Sequence, residues 1–463
     1  MYIENMSRLF KRADPNMTEE KKVRHLMRGV KQDLIAVLVR NPPRNVAEFR
    51  TEVMTIERAL QQRARHYNRD ASSEPTGLLL AKRDSSNETL RELVMLHTHL
   101  DGHIRHTTLM EYSKKKKIDL GYANLQDCLK KTRPSKPSTL QNYLKEMPNY
   151  LRVIVGDRDA LTRIAYEAAV DQANCGVIYS EMRLFAQMMS SSMSSLPKGS
   201  GPMTLNTTRE VVDATLAGFA KAEQECGIKA RLVLACFRDK PGSFVAVVPV
   251  VNVFIESGGE LEEWADEVVT LCQEYKGKGV VGMDVCGVFA PKQTAKEGEE
   301  ILHPQVIQAF KKAATLGVHR TAHAGEAGPP SNIARAITEL GAERIGHGYA
   351  AMREGGEAFK LAISKKIHFE VCPNSSYLTG AVKPTEEHPM MACKKHNASF
   401  SMSTDDPTIT HTDIDDEYWL ALRQGLSPQD IIKTNHDAID NCFLPPEEKK
   451  ALRKWFDELN GLA

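Results

Sequence analysis

LVMLHTHLDG, residues 93–102, sets four apolar residues of strand character directly before a cluster of polar ones, His97, Thr98, His99 and Asp101. Seven further strand-like runs follow it. VIYSEMR starts at Val177, RLVLACF at Arg231 and VVGMDV at Val280; HRTAH ends at His323, RIGH at His347, IHFEVC at Cys372 and SFSMST at Thr404. Stretches with helical spacing lie between them, among them RIAYEAAVDQA (163–173), LEEWADEVVTLCQEY (261–275), PQVIQAFKKAATL (304–316) and NIARAITEL (332–340). Strand and helix alternating eight times predicts parallel β/α units, an α/β fold that closes as a (β/α)8 TIM-type barrel. A ninth run, VAVVPVVNVF from Val245, carries Pro249 in its middle, which a central strand does not tolerate; it reads as an insertion or an edge.

The polar residues follow the same frame. His97 and His99, Asp284, His323, His347 and the Asp405-Asp406 pair all fall at or just past the C-terminal ends of the proposed strands. Loops at that face build the active sites of such barrels. Packing alone gives no reason for them, because an unpaired buried polar group costs roughly 1–3 kcal/mol. Residues i and i+2 of a strand share a face, so the imidazoles of His97 and His99 can reach one metal ion. His323 and the carboxylate of Asp405 complete four protein ligands and leave a position for water. Imidazole and carboxylate donors suit Zn²⁺, with Fe²⁺ or Co²⁺ able to use similar ligands. A water on such an ion loses a proton near neutral pH.

In their order along the chain, LHTHLDG (96–102), RIAYEAAVDQANCGVIYSEMR (163–183), GMDVCG (282–287), HRTAHAGE (319–326), RIGHGY (344–349), HFEVCPNSSYLTGAVKP (368–384) and STDDP (403–407) resemble the adenosine deaminases, metal-dependent purine nucleoside deaminases of the amidohydrolase barrel superfamily. The resemblance spans roughly residues 92–458. It implies one Zn²⁺ per chain on His97, His99, His323 and Asp405, and hydrolytic deamination of adenosine and 2′-deoxyadenosine to the inosine products and ammonia. It also implies Glu326 as the acid at purine N1 and His347 beside the attacking water, with Asp405 as a further acceptor. Asp406 would meet N7, the Gly287 amide N3, and Asp101 a ribose hydroxyl, with His99 on the same ribose face. Tyr143, Leu144 and Met147 match a hydrophobic lid, and Asp284 supports the site without being a ligand. After Gly287 the family's acidic pair is replaced by Val288-Phe289, Ala350 stands where histidine is common, and Leu184-Phe185-Ala186 replace Tyr-Ser-Pro after Arg183. The alternatives are a deaminase of AMP or an N6-substituted AMP, and a non-catalytic fusion protein carrying a relict barrel.

Composition sets the remaining bounds. The chain has 463 residues, 41% hydrophobic and 26% charged, with mean hydropathy −0.38, which excludes a mainly disordered chain. No run approaches 18 apolar residues and the N-terminus lacks a secretory pattern, so no membrane association is expected. Nine scattered cysteines without a C-x-x-C pair read as reduced thiols, and the expected location is the cytoplasm. A net charge of +1 gives no bulk attraction to nucleic acid. Residues 1–70 hold 15 Lys/Arg against 9 Asp/Glu, the only basic segment through which nucleic acid would be met. PNMTEEKKVRHLMRGV (15–30), NPPRNVAEFRTE (41–52) and IERALQQRARHYNR (56–69) resemble the helical Gag region of retrotransposons. The expected organisation is a small all-helical Gag-like segment 1–70, a linker 71–88, and the barrel 89–463. The Lys114–Lys117 run reads as a solvated helix end. Nothing in the sequence fixes the oligomeric state.

Overall fold

Eight parallel strands pair in chain order: β1 Leu93–His99, β2 Val177–Leu184, β3 Lys229–Phe237, β4 Val280–Cys286, β5 His319–Ala324, β6 Arg344–His347, β7 His368–Val371 and β8 Phe400–Met402. The computed structural model describes residues 93–191, 204–238, 262–287, 300, 302–326 and 328–462. The Gag-like segment, the linker, the run from Val245 and Val288-Phe289 lie outside the described residues. Each strand coincides with one of the eight predicted runs to within two residues at either end. The sheet curls back on itself: His99 N–H donates to the Asp405 carbonyl (2.9 Å) and Asp405 N–H to the His97 carbonyl (3.2 Å), which joins the end of β1 to the residues after β8.

Helices cover the outside. The four predicted helical stretches form Arg158–Asn174, Glu262–Glu274, Pro304–Thr315 and Ser331–Thr338. On β1, Val94 and Leu96 pack outward with Ala438, Ile439 and Phe456 of the helices Pro428–Asn441 and Pro446–Leu459. Alternation then turns His97 and His99 inward. Burying a Val or Leu side chain contributes roughly 1.5–3 kcal/mol, so this outer packing fixes the register that aims the histidines.

The inside of the barrel is charged. Arg183 and Arg344 are fully buried, as are Glu181, Asp284 and Glu370. Arg183 reaches Glu370 at 2.8 Å and Asp284 at 3.1 Å, while Arg344 reaches Glu370 and Glu181 at 2.7 Å each. Two guanidiniums thus clamp three carboxylates beneath the strand ends. Breaking such a network by removing one partner costs about 3–5 kcal/mol, because the charge left behind stays buried.

One surface expectation needs correcting. The helix His106–Lys116 does end in the lysine run, but Lys116 is buried and its ammonium lies 2.8 Å from Asp157. A partner 41 residues away in sequence turned a solvated position into an anchored one.

Candidate active site

His97, His99, His323 and Asp405 converge at the C-terminal mouth of the barrel, each offering one ligand atom within 4.8 Å of the others. Three of their inter-residue distances are short. Nε2 of His99 lies 3.1 Å from Nε2 of His323 and 3.5 Å from Asp405 Oδ1, and Nε2 of His97 lies 3.4 Å from that same oxygen. The opposite ring nitrogens face carboxylates: His97 Nδ1 is 2.7 Å from Glu370, His323 Nδ1 is 3.0 Å from Asp284 and His99 Nδ1 is 3.9 Å from Asp101. Arg183, which can only donate, packs against the His97 ring with Nη1 2.8 Å from Nδ1.

With the proton on Nδ1, as the Glu370 carboxylate favours in His97 and the nearby Asp284 in His323, the Nε2 lone pairs point at one another and at an anionic oxygen. Such an arrangement repels unless a cation sits among the lone pairs. Burial and the neighbouring imidazole lower the pKa of His99, and burial lowers that of His323, so these rings are neutral, the state a metal ligand requires. Burial would raise Asp405, yet the histidines packed round it, His97, His347 and His99, hold it well below the usual carboxylate range, the ionised state a metal ligand requires. The donor set fits a divalent ion of the zinc kind. A second cluster, His97, His347, Cys372 and Asp405, is less suited, because burial pushes the Cys372 thiol far up.

The backbone is strained at two of these strand ends. His347 sits at φ 68° and Asp405 at φ 58°, in the left-handed region that non-glycine residues occupy at a cost on the order of 1–3 kcal/mol each. The strain turns both side chains toward the common centre. The His347 ring centroid is 4.7 Å from that of His97 and 5.1 Å from that of His323, and its Nε2 is 3.8 Å from Glu326. Burial lowers the His347 pKa, leaving a neutral imidazole. Glu326 is 7% exposed with no partner for Oε1, and burial, then Asp405 and Glu300, push its carboxyl up to about 8.

Beside this centre lies a pocket with a cavity volume of about 80 Å³. Its walls include Asp101, Gly287, Asp406 and the predicted lid residues Tyr143, Leu144 and Met147. Burial raises Asp101 to about 7, and Oδ1 has no partner. Burial, with Asp405 and Asp101 nearby, drives Asp406 well up, and the Tyr143 hydroxyl donates to its Oδ2 at 3.2 Å. Gly102 exists for Asp406: a Cβ there would lie 1.8 Å from Asp406 Oδ1. Gly287 adopts φ 123°, closed to most side chains.

Several contributors escaped the sequence reading. Phe185 and Phe237 stack in the wall, centroids 4.1 Å apart, and Arg238 and Glu300 line the same cavity. Ser375 donates to Asp405 Oδ2, and Glu370 holds His97.

The family model described as adenosine deaminase matches residues 93–459. The adenosine deaminase of Xenopus tropicalis is 36% identical over 372 residues, covering 80% of this chain and 96% of that protein. That of Clostridium botulinum is 32% identical over 375 residues, covering 80% and 98%. Among solved structures, an Arabidopsis N6-mAMP deaminase is 25% identical, with a TM-score of 0.62 over 80% of this chain and 98% of that one.

Proposed function

The chain belongs to the adenosine deaminase family and is a hydrolase that deaminates an adenosine-like substrate, and from this premise we propose a zinc enzyme acting on the free nucleosides adenosine and 2′-deoxyadenosine in purine salvage and catabolism. The observation that carries the reading is the convergence of four side chains able to ligate one metal ion, His97, His99, His323 and Asp405, with the buried carboxyl of Glu326 in one pocket. His97, His99, His323 and Asp405 would hold one Zn²⁺. When bound, it lowers the pKa of a water from about 15.7 to near 7, making a nucleophile available at neutral pH.

The chain's own residues then do the following. Glu326 donates its proton to purine N1, which draws electron density from C6. His347, neutral, accepts at Nε2 a proton given up by the attacking water. The C6–O bond forms, His347 passes that proton to the amine, the C6–N bond breaks to release ammonia, and the C6 hydroxyl proton returns to Glu326 as the C6 carbonyl closes. Asp406 donates to N7 through its raised carboxyl, the Gly287 amide donates to N3, and Asp101 and His99 take the ribose face. Tyr143, Leu144 and Met147 exclude bulk water from the ring.

A 5′-monophosphate is the second reading, raised by the Arabidopsis N6-mAMP deaminase. The pocket composition favours the nucleoside. Among the described residues its walls carry the carboxyl groups of Asp101, Glu300, Glu326, Asp405 and Asp406, and the single guanidinium, Arg238, is paired with Glu300. Parallel assays of adenosine and AMP test this, with kcat/KM for adenosine expected at least about 100-fold higher; equal or better AMP turnover refutes it.

The cytoplasm fits nine cysteines that are all free. No helix among the described residues is long and apolar enough to cross a membrane. The proposed organisation keeps 1–70 as a Gag-like segment, 71–88 as a linker and 89–463 as the barrel.

A further inference from the structure

Arg238 follows β3, is 2% exposed, and spends its donors on the ends of β4 and β5 and on Glu300. Nη2 donates to the His323 carbonyl at 2.8 Å, Nε to the Gly287 carbonyl at 3.3 Å, and Nη1 to Glu300 Oε2 at 3.3 Å. The other oxygen of Glu300 accepts from the Gly325 N–H at 2.8 Å. The backbone of Arg238 is fixed as well, its N–H on the Cys286 carbonyl (3.1 Å) and its carbonyl accepting from His303 N–H (2.9 Å). One buried ion pair therefore grips Gly287 at the end of β4 and both sides of the turn that leads into Glu326.

That placement matters for a purine. N1 and N3 belong to one rigid ring, while their protein partners come from different strands. The separation between the Gly287 amide and the Glu326 carboxyl must therefore be held by the protein. We propose that Arg238 and Glu300 are positioning residues that fix this separation, so that N3 is gripped only where N1 meets the acid. The inference rests on the deaminase reading above.

The test uses the full-length, metal-loaded protein and two non-reacting nucleosides, 1-deazaadenosine and 1,3-dideazaadenosine, which differ only at N3. Their Ki ratio reports the N3 contact without turnover. Wild type should bind the 1-deaza compound about tenfold tighter, the value of one hydrogen bond. In Arg238→Met the ratio should shrink to less than about threefold, while adenosine kcat falls about 100-fold and zinc content stays that of wild type. Arg238→Lys and Glu300→Gln, milder changes expected to fold, should give intermediate ratios. An unchanged ratio in these variants, or zinc loss that tracks the activity loss, overturns the inference. Wild-type protein that binds neither analogue and leaves adenosine intact refutes the deaminase reading itself, a result distinct from either of these.

Discussion

Glu326→Gln separates the proposed proton donation from every other duty of the site. The side chain keeps its size and can still donate a hydrogen bond, but it has no proton to give N1. In the wild type the carboxyl is raised to about 8, first by burial and then by Asp405 and Glu300. At pH 7 it is therefore roughly nine-tenths protonated, and at pH 9 roughly one-tenth. Two consequences follow from these fractions. Loss of a general acid should lower kcat by about 10²–10⁴, equivalent to about 3–5 kcal/mol. Wild-type kcat/KM should also fall about tenfold per pH unit above 8, since the active form of the free enzyme is the protonated one, and this alkaline limb should vanish in the variant. The assay is the ultraviolet absorbance change as adenosine becomes inosine, followed from pH 6 to 10, with zinc content measured alongside. Zinc should be retained, because Glu326 stands outside the four-residue cluster. A variant within tenfold of wild type, or one that keeps the alkaline limb, would refute the acid role.

Three further perturbations probe separate parts of the account. Gly102→Ala pushes a methyl into Asp406, whose Oδ1 would lie 1.8 Å away, and should raise KM for adenosine at least about tenfold with zinc unchanged; steady-state kinetics with elemental analysis checks it. Tyr143→Phe removes the 3.2 Å hydrogen bond to Asp406 and should cost about 1 kcal/mol, seen as a several-fold rise in KM with kcat nearly constant. Arg344→Met leaves Glu181 and Glu370 buried without their shared cation and should destabilise the barrel by about 3–5 kcal/mol, a fall in Tm on the order of 5 °C by calorimetry.

The parts of the fold that were legible in the sequence are those set by local pattern. All eight strands announced themselves as short apolar runs between helical stretches, and their ends strayed by a residue or two where pairing with a neighbour extends or trims a strand, as at Lys229 and Ala324. The convergence of His97, His99, His323 and Asp405 was legible too, from i and i+2 geometry and the rule that barrel strands point their C-terminal ends at one face. Groups defined by distant partners were not. Glu370 under His97, Arg344 between two carboxylates, and Glu300 on Arg238 depend on pairs separated by many residues. A usable signal existed for the first two. Glu181 and Arg183 in VIYSEMR, Arg344 in RIGH and Glu370 in HFEV place ionisable groups inside otherwise buried strands, where charge persists only when paired. Glu300 offered no such sign, lying outside any periodic run, and Lys116 was misread because Asp157 is remote in sequence.

Elemental analysis of the purified full-length protein, paired with adenosine turnover before and after chelation, bears most directly on the proposed metal site. One zinc per chain is expected, lost together with activity on chelation, restored with it on adding Zn²⁺, and absent from His323→Ala. Undiminished turnover in protein verified to be free of metal would contradict it.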